Sequence, residues 1–114
     1  MACAKIVEPC TKFLDRLFTP EERAYCDSQK RPYVNYAARF AVKEAIAKSF
    51  GTGIGKELSW LDMTIIRAPS GEPSVVFCGA GKLFMEKNNI VQVKISLTHA
   101  KLYAAANALA LSPQ

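Results

Sequence analysis

The chain has 114 residues, half of them hydrophobic and 22% charged, with a formal net charge of +5. This length predicts a single domain over residues 1–114. The positive charge favours a polyanionic partner, and charge alone does not choose among nucleic acid, an anionic membrane, a nucleotide-like ligand and an acidic protein. Because the basic residues form no block and no glycine-rich tail is present, nucleic-acid binding is disfavoured. No apolar run reaches membrane-spanning length and no secretory signal is visible, so we predict no membrane partner and a cytoplasmic location.

The cysteines and the histidine argue against one kind of metal site. Cys3, Cys10, Cys26 and Cys78 form no CxxC pair, and His99 is the only histidine. A structural zinc site is therefore not expected. For a cytoplasmic chain, the thiols are predicted to be reduced.

The first segments of the chain have helical spacing. Apolar residues at helical intervals predict a helix over Lys5–Phe18, which would begin near Pro9. The sequence Thr19–Glu22 has a capping box with proline at the first helical position. It predicts a second, short helix that ends at about Ser28.

The strongest helix prediction covers Tyr33–Phe50, after a break at Arg31-Pro32. Small and apolar residues recur at helical intervals along one side of this segment and predict its buried face. They are Ala38, Val42, Ala45 and Ile46. Gly51 follows where a C-terminal cap belongs.

The rest of the chain is predicted to be mainly strand. β-favouring residues indicate strands over Trp60–Ile66, Ser74–Cys78, Val91–Thr98 and Tyr103–Leu111. A turn at Ser70–Pro73 joins the first two as a hairpin, and Ala80–Lys87 is predicted as a short helix. The last segment is rich in alanine, which also suits a helix, but the turn before it favours a meander. The predicted fold class is α+β, with a long central helix packed on an antiparallel sheet.

Phe40, Glu44 and Lys48 are successive i,i+4 neighbours, so they share one side of the long helix, away from its apolar face. A carboxylate beside an ammonium suits a hydrated magnesium ion that bridges to phosphate. An ordinary Glu-to-Lys surface pair explains the same spacing. The pattern alone therefore leaves both interpretations open.

Two weaker patterns also suit phosphate. Gly51 and Gly53 would let the backbone approach a phosphate closely, although a flexible helix cap and loop is the ordinary explanation. Ser96 and His99 lie at the end of a predicted strand, and a lone histidine binds phosphate, acts as a base, or is simply packed or exposed. No GxSxG elbow is present, so Ser/His nucleophilic catalysis is poorly supported.

Several motifs, in this order along the chain, resemble the holo-[acyl-carrier-protein] synthase family of 4'-phosphopantetheinyl transferases. Leu17–Glu22 resembles its FTPEE entry to the second helix, and Arg39–Ala45 its RFAAKEA helix, with Lys48 one turn later. Trp60 to Pro73 resembles its D-I-E-I…G-K-P hairpin. Ser96–His99 resembles its S-I-S-H strand end. The resemblance covers nearly the whole chain.

The resemblance implies a Mg²⁺-dependent enzyme of fatty acid biosynthesis. It would transfer 4'-phosphopantetheine from coenzyme A to a serine of an apo-acyl carrier protein, releasing 3',5'-adenosine bisphosphate. By matching positions, Glu44 is a metal ligand, and Lys48 contacts phosphate or assists proton transfer. The residues that the resemblance places at coenzyme A are Arg39, Lys43, Gly51 and Gly53 for the phosphates, and Ser96 and His99 for the adenosine end.

The resemblance also implies a homotrimer with sites between subunits, and an acidic carrier protein that docks on a basic helix. Lys12 and Arg16 are the candidate docking residues. A different interpretation is a truncated, non-catalytic module that binds carrier protein or coenzyme A without turnover. A third, nucleic-acid binding, lacks clustered aromatic and basic residues.

The N-terminus departs from the family pattern. The family begins with a strand of the type G-I-G-x-D-I-V-E, whose aspartate is a metal ligand, and Lys5–Glu8 matches D-I-V-E with lysine in place of aspartate. The gap to Thr19 is too short for both this strand and the family's first helix. Lys5–Leu17 is therefore aligned with the helix, and the first strand and its aspartate are predicted to be missing. Ala100 also stands where the family often has a hydroxyl residue.

Overall fold

The computed structural model describes residues 2–5, 11–67, 70–99 and 103–112. Its α-helices are α1 (Thr11–Leu17), α2 (Pro20–Asp27), α3 (Pro32–Phe50) and α4 (Gly79–Lys87). Its strands are β1 (Ala2–Lys5), β2 (Met63–Arg67), β3 (Pro73–Phe77), β4 (Gln92–His99) and β5 (Tyr103–Leu111). In that part of the chain, none of the helices combines the length and the hydropathy needed to cross a bilayer.

The strands form two antiparallel sheets, with the order β1-β5-β4 in one and β2-β3 in the other. β4 and β5 are consecutive in the chain and pair along their whole length, from Gln92↔Leu111 to His99↔Ala104. The alanine-rich last segment is thus a strand, as the meander prediction required. The predicted β2-β3 hairpin is also confirmed, with Met63 opposite Phe77.

The central helix α3 packs across the three-stranded sheet. Its predicted inner face is buried, since Ala38 and Ala45 are at most 6% exposed and Val42 and Ile46 are fully covered. Ala106 of β5 belongs to the same core cluster as these α3 residues. Small side chains on α3 and β5 permit the helix and the strand to pack closely. The predicted fold class is confirmed in this arrangement of one long helix on an antiparallel sheet.

Both predicted helix boundaries in this region are confirmed. The Thr19 hydroxyl accepts a hydrogen bond from the backbone N–H of Glu22, and the Glu22 carboxylate accepts one from the N–H of Thr19. This capping box begins α2 at Pro20. Gly51 ends α3 in the left-handed region with φ of 77°, and its N–H donates to the Lys48 carbonyl.

The N-terminal prediction needs correction. Ala2–Lys5 is a strand and pairs antiparallel with β5, with Ala2 opposite Ala106 and Lys5 opposite Tyr103. The first strand is therefore present, and of the helix predicted over Lys5–Phe18 the structure shows Thr11–Leu17, while residues 6–10 lie outside the described residues. Strand pairing with a segment about a hundred residues later is a long-range interaction that local spacing does not report.

The start of the predicted strand Trp60–Ile66 is also corrected. Trp60–Asp62 forms a 3-10 turn, and β2 begins at Met63. The Asp62 carboxylate accepts hydrogen bonds from the backbone N–H groups of Ser59 and Gly81, each at 3.0 Å. The side chain thus caps the turn and fixes the start of α4 against it.

Candidate functional site

Lys43 of α3 lies in the protein core, with no exposed surface. Its Nζ donates to Glu22 Oε1 at 2.6 Å, to the Leu17 carbonyl at 2.7 Å and to the Trp60 carbonyl at 3.0 Å. An ammonium has three donors, and all three are used here. The expectation that Lys43 contacts a coenzyme A phosphate is therefore corrected, because no donor is left for a ligand.

Glu22 completes the arrangement from the other side and is 1% exposed. Besides Lys43 and Thr19, its carboxylate accepts the backbone N–H of Ile65 at 2.9 Å. The Glu22–Lys43 pair thus connects α1, α2, α3, β2 and the 3-10 turn. The capping-box motif predicted the bond to Thr19, but nothing in the sequence indicated that the same carboxylate holds Lys43.

Opposing effects act on the pKa of Lys43. Burial lowers the pKa of Lys43 from its ordinary value, and the nearby Glu22 carboxylate raises it again. The positive charge of Arg39 acts in the same direction as burial. Because each partner compensates the other's charge in the core, removing only one of them leaves a buried charge unpaired.

Glu44 follows Lys43 in the sequence but has a different environment. It is partly buried, and Lys48 one turn later is exposed. Within the described ranges the ion pairs are Asp15–Arg23 and Glu22–Lys43, so Glu44 and Lys48 do not form the surface pair that their spacing also suggested. The Glu44 carboxylate is consequently available to a ligand.

A cleft with four basic side chains, hereafter the basic cleft, has a volume of about 290 Å³. Its basic residues come from the α2–α3 connection, α3 and β2, and they are Lys30, Arg31, Arg39 and Arg67. None of its described lining residues is acidic. The sequence patterns indicated only Arg39. Lys30 and Arg31 are neighbours in the chain, but tertiary packing brings them to Arg39 and Arg67.

Arg39 is the most enclosed cation of the basic cleft, with 6% of its surface exposed. Its guanidinium lies 4.5 Å from the centre of the Tyr25 ring, and Nη1 donates to Asn35 Oδ1 at 3.4 Å. Its Nε is buried and has no hydrogen-bond partner in the described structure. A buried donor of this kind is costly unless a ligand satisfies it, and an anion would do so.

The glycine loop has the backbone geometry of an ordinary cap. Gly51 and Gly53 have φ of 77° and 64°, and a Cβ at either position would meet no atom within 4 Å. Backbone conformation therefore explains both glycines. Their contact with phosphate stays a prediction.

Of the two residues predicted for the adenosine end, Ser96 lies apart from Glu44 within one copy of the chain. Ser96 is exposed on β4, whereas its neighbour Leu97 is partly buried and packs towards α3. Ser96 thus lies on the sheet face opposite the helix that bears Glu44. The His99 side chain and Ala100 lie outside the described residues.

The two predicted docking residues, Lys12 and Arg16, both belong to α1. Arg16 is exposed in the last turn of α1, where it can meet a partner. The Lys12 side chain is outside the described set, although its backbone lies in the same helix.

A magnesium site would have one protein carboxylate among the described candidates. No three His, Cys, Asp or Glu side chains converge there, and β1 carries no carboxylate. Magnesium usually keeps several waters and binds through one or two carboxylates together with substrate phosphates. Glu44, partly buried and without an ion-pair partner, meets the lower limit of this requirement.

Comparisons with known proteins agree with this fold. The family model for the 4'-phosphopantetheinyl transferase superfamily matches residues 3–106. A holo-[acyl-carrier-protein] synthase from Ruminiclostridium cellulolyticum is 41% identical over 99 residues, which cover 86% of this chain and 74% of the relative.

Solved structures of such synthases match as well. The Helicobacter pylori enzyme in complex with coenzyme A has a TM-score of 0.76 at 34% identity, covering 88% of this chain and 82% of that one. The Bacillus anthracis enzyme in complex with CoA (3',5'-ADP) has a TM-score of 0.79 at 30% identity, covering 98% and 96%.

This chain belongs to the 4'-phosphopantetheinyl transferase superfamily and, within it, to the holo-[acyl-carrier-protein] synthases. The resemblance drawn from the sequence motifs is thereby confirmed, as is the prediction that the chain is an enzyme of the phosphopantetheinyl transferase class.

Glu22→Gln is expected to lower the free energy of unfolding by about 3–5 kcal/mol, because it leaves the Lys43 ammonium buried without its counter-charge. Urea unfolding followed by circular dichroism measures the change. The control is Glu21→Gln, an exposed neighbour on α2 that should change stability by less than about 0.5 kcal/mol. Equal effects of the two variants would contradict the assignment of Glu22 to a buried ion pair.

Proposed function

We propose that this enzyme transfers 4'-phosphopantetheine from coenzyme A to a serine of apo-acyl carrier protein, with Mg²⁺ as cofactor, in fatty acid biosynthesis. The relatives' names and the coenzyme A complexes of two structural neighbours support the substrates. The observation that carries the proposal to this chain is the unpaired Glu44 carboxylate on the same helix as Arg39 of the basic cleft. These groups suit a metal-bound diphosphate and its nucleotide.

The reaction needs positioning and charge neutralisation more than covalent catalysis. The carrier serine hydroxyl attacks the β-phosphorus of coenzyme A, and 3',5'-adenosine bisphosphate leaves. Arg39 and Arg67, with Lys30 and Arg31, would bind the phosphates of the nucleotide. Lys48, exposed one turn after Glu44, would neutralise phosphate charge or assist proton transfer from the serine.

Glu44 would be the protein's ligand to Mg²⁺, with the diphosphate oxygens and water as the others. When bound, the ion would neutralise charge that develops on the diphosphate. Glu44 and Arg39 are five residues apart, which is about 7.5 Å along a helix axis. The two residues also lie about 140° apart around the axis, so one coenzyme A molecule would have to curve around the helix to reach both.

The main argument for a truncated, non-catalytic binding module no longer holds. It rested on an absent first strand, and β1 is present and paired with β5. The remaining departure is the lack of a carboxylate on β1, which leaves Glu44 as the ligand on which the metal would depend. We therefore favour the enzyme over a binding module.

Glu44→Gln is expected to lower the transfer rate by about 100-fold or more, because it removes the carboxylate charge that would hold the metal while keeping the side chain's size. Mass spectrometry of apo-acyl carrier protein, incubated with coenzyme A and Mg²⁺, measures the phosphopantetheine gain. Glu86→Gln, an exposed change on α4, is the matched control. Binding of coenzyme A by the wild type without any mass gain would instead favour the non-catalytic module.

Arg67→Ala is expected to raise the KM for coenzyme A about tenfold, since it removes one cation that would contact a phosphate in the basic cleft. The effect should shrink as salt concentration rises, because salt screens the remaining charges. Lys87→Ala removes an equal charge from the surface of α4, outside the cleft. The same KM for both variants would show that only net charge matters and would remove the basic cleft from the site.

We also propose a homotrimer in which Glu44 of one copy faces Ser96 and His99 of the next. The support is Ser96, which lies on the sheet face opposite the helix that bears Glu44 within one copy. Leu109 of β5 gives further support, because it is 57% exposed and lies opposite Lys94 on the same outer face as Ser96. A partner copy on this face would cover that leucine. The acidic carrier protein would dock near Arg16, and the cytoplasmic location stays a prediction.

Leu109→Asp is expected to dissociate the trimer and to lower transfer with it, because it places a charge in the proposed interface. Light scattering gives the mass in solution, and the transfer assay gives activity. Leu83→Asp on α4 is the control, since this leucine is 66% exposed and lies on another element. A wild type that is fully active as a single chain would contradict the shared site.

A further inference from the structure

We infer that the buried Glu22–Lys43 pair is a positioning device for coenzyme A: it sets the geometry of the basic cleft without touching the ligand. The inference rests on the proposed function, because it takes the cleft to be the nucleotide site. It assigns to Lys43 a role other than the phosphate contact that the resemblance implied.

The pair connects the three elements that form the walls of the cleft, because Glu22 of α2 accepts from Lys43 of α3 and from the backbone N–H of Ile65 in β2. Each wall contributes one residue that lines both the basic cleft and a smaller cleft of about 220 Å³ beside it, and these residues are Tyr25 of α2, Arg39 of α3 and Arg67 of β2. Glu22 and Ile65 line the smaller cleft as well. The pair therefore lies next to the proposed nucleotide site without forming part of its basic lining.

On each of α2, α3 and β2, a residue that lines the cleft lies only two to four residues along the chain from a residue of the pair or from its hydrogen-bond partner Ile65. Tyr25 is three residues after Glu22 on α2, and Arg39 is four residues before Lys43 on α3, so each shares a helix face with its partner. Arg67 is two residues after Ile65 on β2, whose N–H donates to Glu22. A shift of any wall relative to the pair would thus move a residue of the cleft.

The cleft needs such a constraint because its own charges oppose closure. Lys30, Arg31, Arg39 and Arg67 repel one another when no anion lies between them. Lys43 is bonded to three acceptors on other elements and Glu22 to three donors, so neither can turn without losing hydrogen bonds. The pair can therefore hold the walls in place before the ligand arrives, which lowers the cost of binding.

The experiment measures the Kd of coenzyme A by titration calorimetry at a temperature where every variant is folded. The variants are Glu22→Gln, the double variant E22Q/K43M, and Val42→Ala as a core control on the same helix. The double variant removes both charges at similar volume, so it should recover much of the thermal stability that Glu22→Gln loses. It does not restore the contacts of the Lys43 ammonium to the Leu17 and Trp60 carbonyls.

A positioning role predicts that Glu22→Gln and the double variant both raise the Kd about tenfold, and that Val42→Ala leaves it within about twofold. Charge alone predicts the opposite sign for Glu22→Gln, since losing a negative charge beside the cleft would attract an anion more strongly. The double variant keeps the test decisive if Glu22→Gln alone fails to fold.

Three results would overturn the inference. They are a double variant that regains wild-type Kd together with stability, a Val42→Ala Kd raised as much as that of Glu22→Gln, and a wild type that does not bind coenzyme A. Because calorimetry needs no turnover, a wild type that binds coenzyme A but does not transfer contradicts only the proposed function. The ratio of Kd values then still decides the positioning role.

Discussion

The Lys43 ammonium is buried in the core and donates to one carboxylate and two backbone carbonyls. These bonds fix the position of the central helix α3 relative to the elements around it. Without compensation, burying that charge would cost several kcal/mol, and its three bonds leave few ways to arrange the surrounding elements. Glu22 meets the requirement because the capping box already holds it at the start of α2. Helix capping, ion pairing and the approach of β2 therefore depend on the same carboxylate.

This setting gives adjacent residues of α3 different chemistry. Lys43 is enclosed, and Glu44 reaches the surface without an ion-pair partner among the residues that the structure describes. Arg39 lies one turn before Lys43 in the basic cleft, with its buried Nε unsatisfied by any described group. A helix rotated by one residue would bury the carboxylate that the proposed metal site requires. The function proposed for this transferase thus depends on a contact that takes no part in the chemistry.

The sequence was sufficient to predict the structure where the physical signal is local. The Thr19 capping box, the Gly51 cap and the buried face of α3 each follow from spacing within a few turns, and the motif order identified the family. The sequence was insufficient to predict contacts between residues far apart in the chain, because strand pairing and side-chain burial depend on the whole fold. The pairing of β1 with β5 and the burial of Lys43 are both of this kind. The basic cleft is the clearest case, since Lys30-Arg31, Arg39 and Arg67 lie on three separate segments and meet only in the fold.

Most of this account depends on the different environments of Arg39, Lys43 and Glu44, and a crystal structure with coenzyme A and Mg²⁺ tests it most directly. We expect nucleotide phosphates against Arg39 and Arg67, the metal on Glu44, and Lys43 still bonded to Glu22. Phosphates bonded to the Lys43 ammonium, or a metal bound away from Glu44, would contradict it.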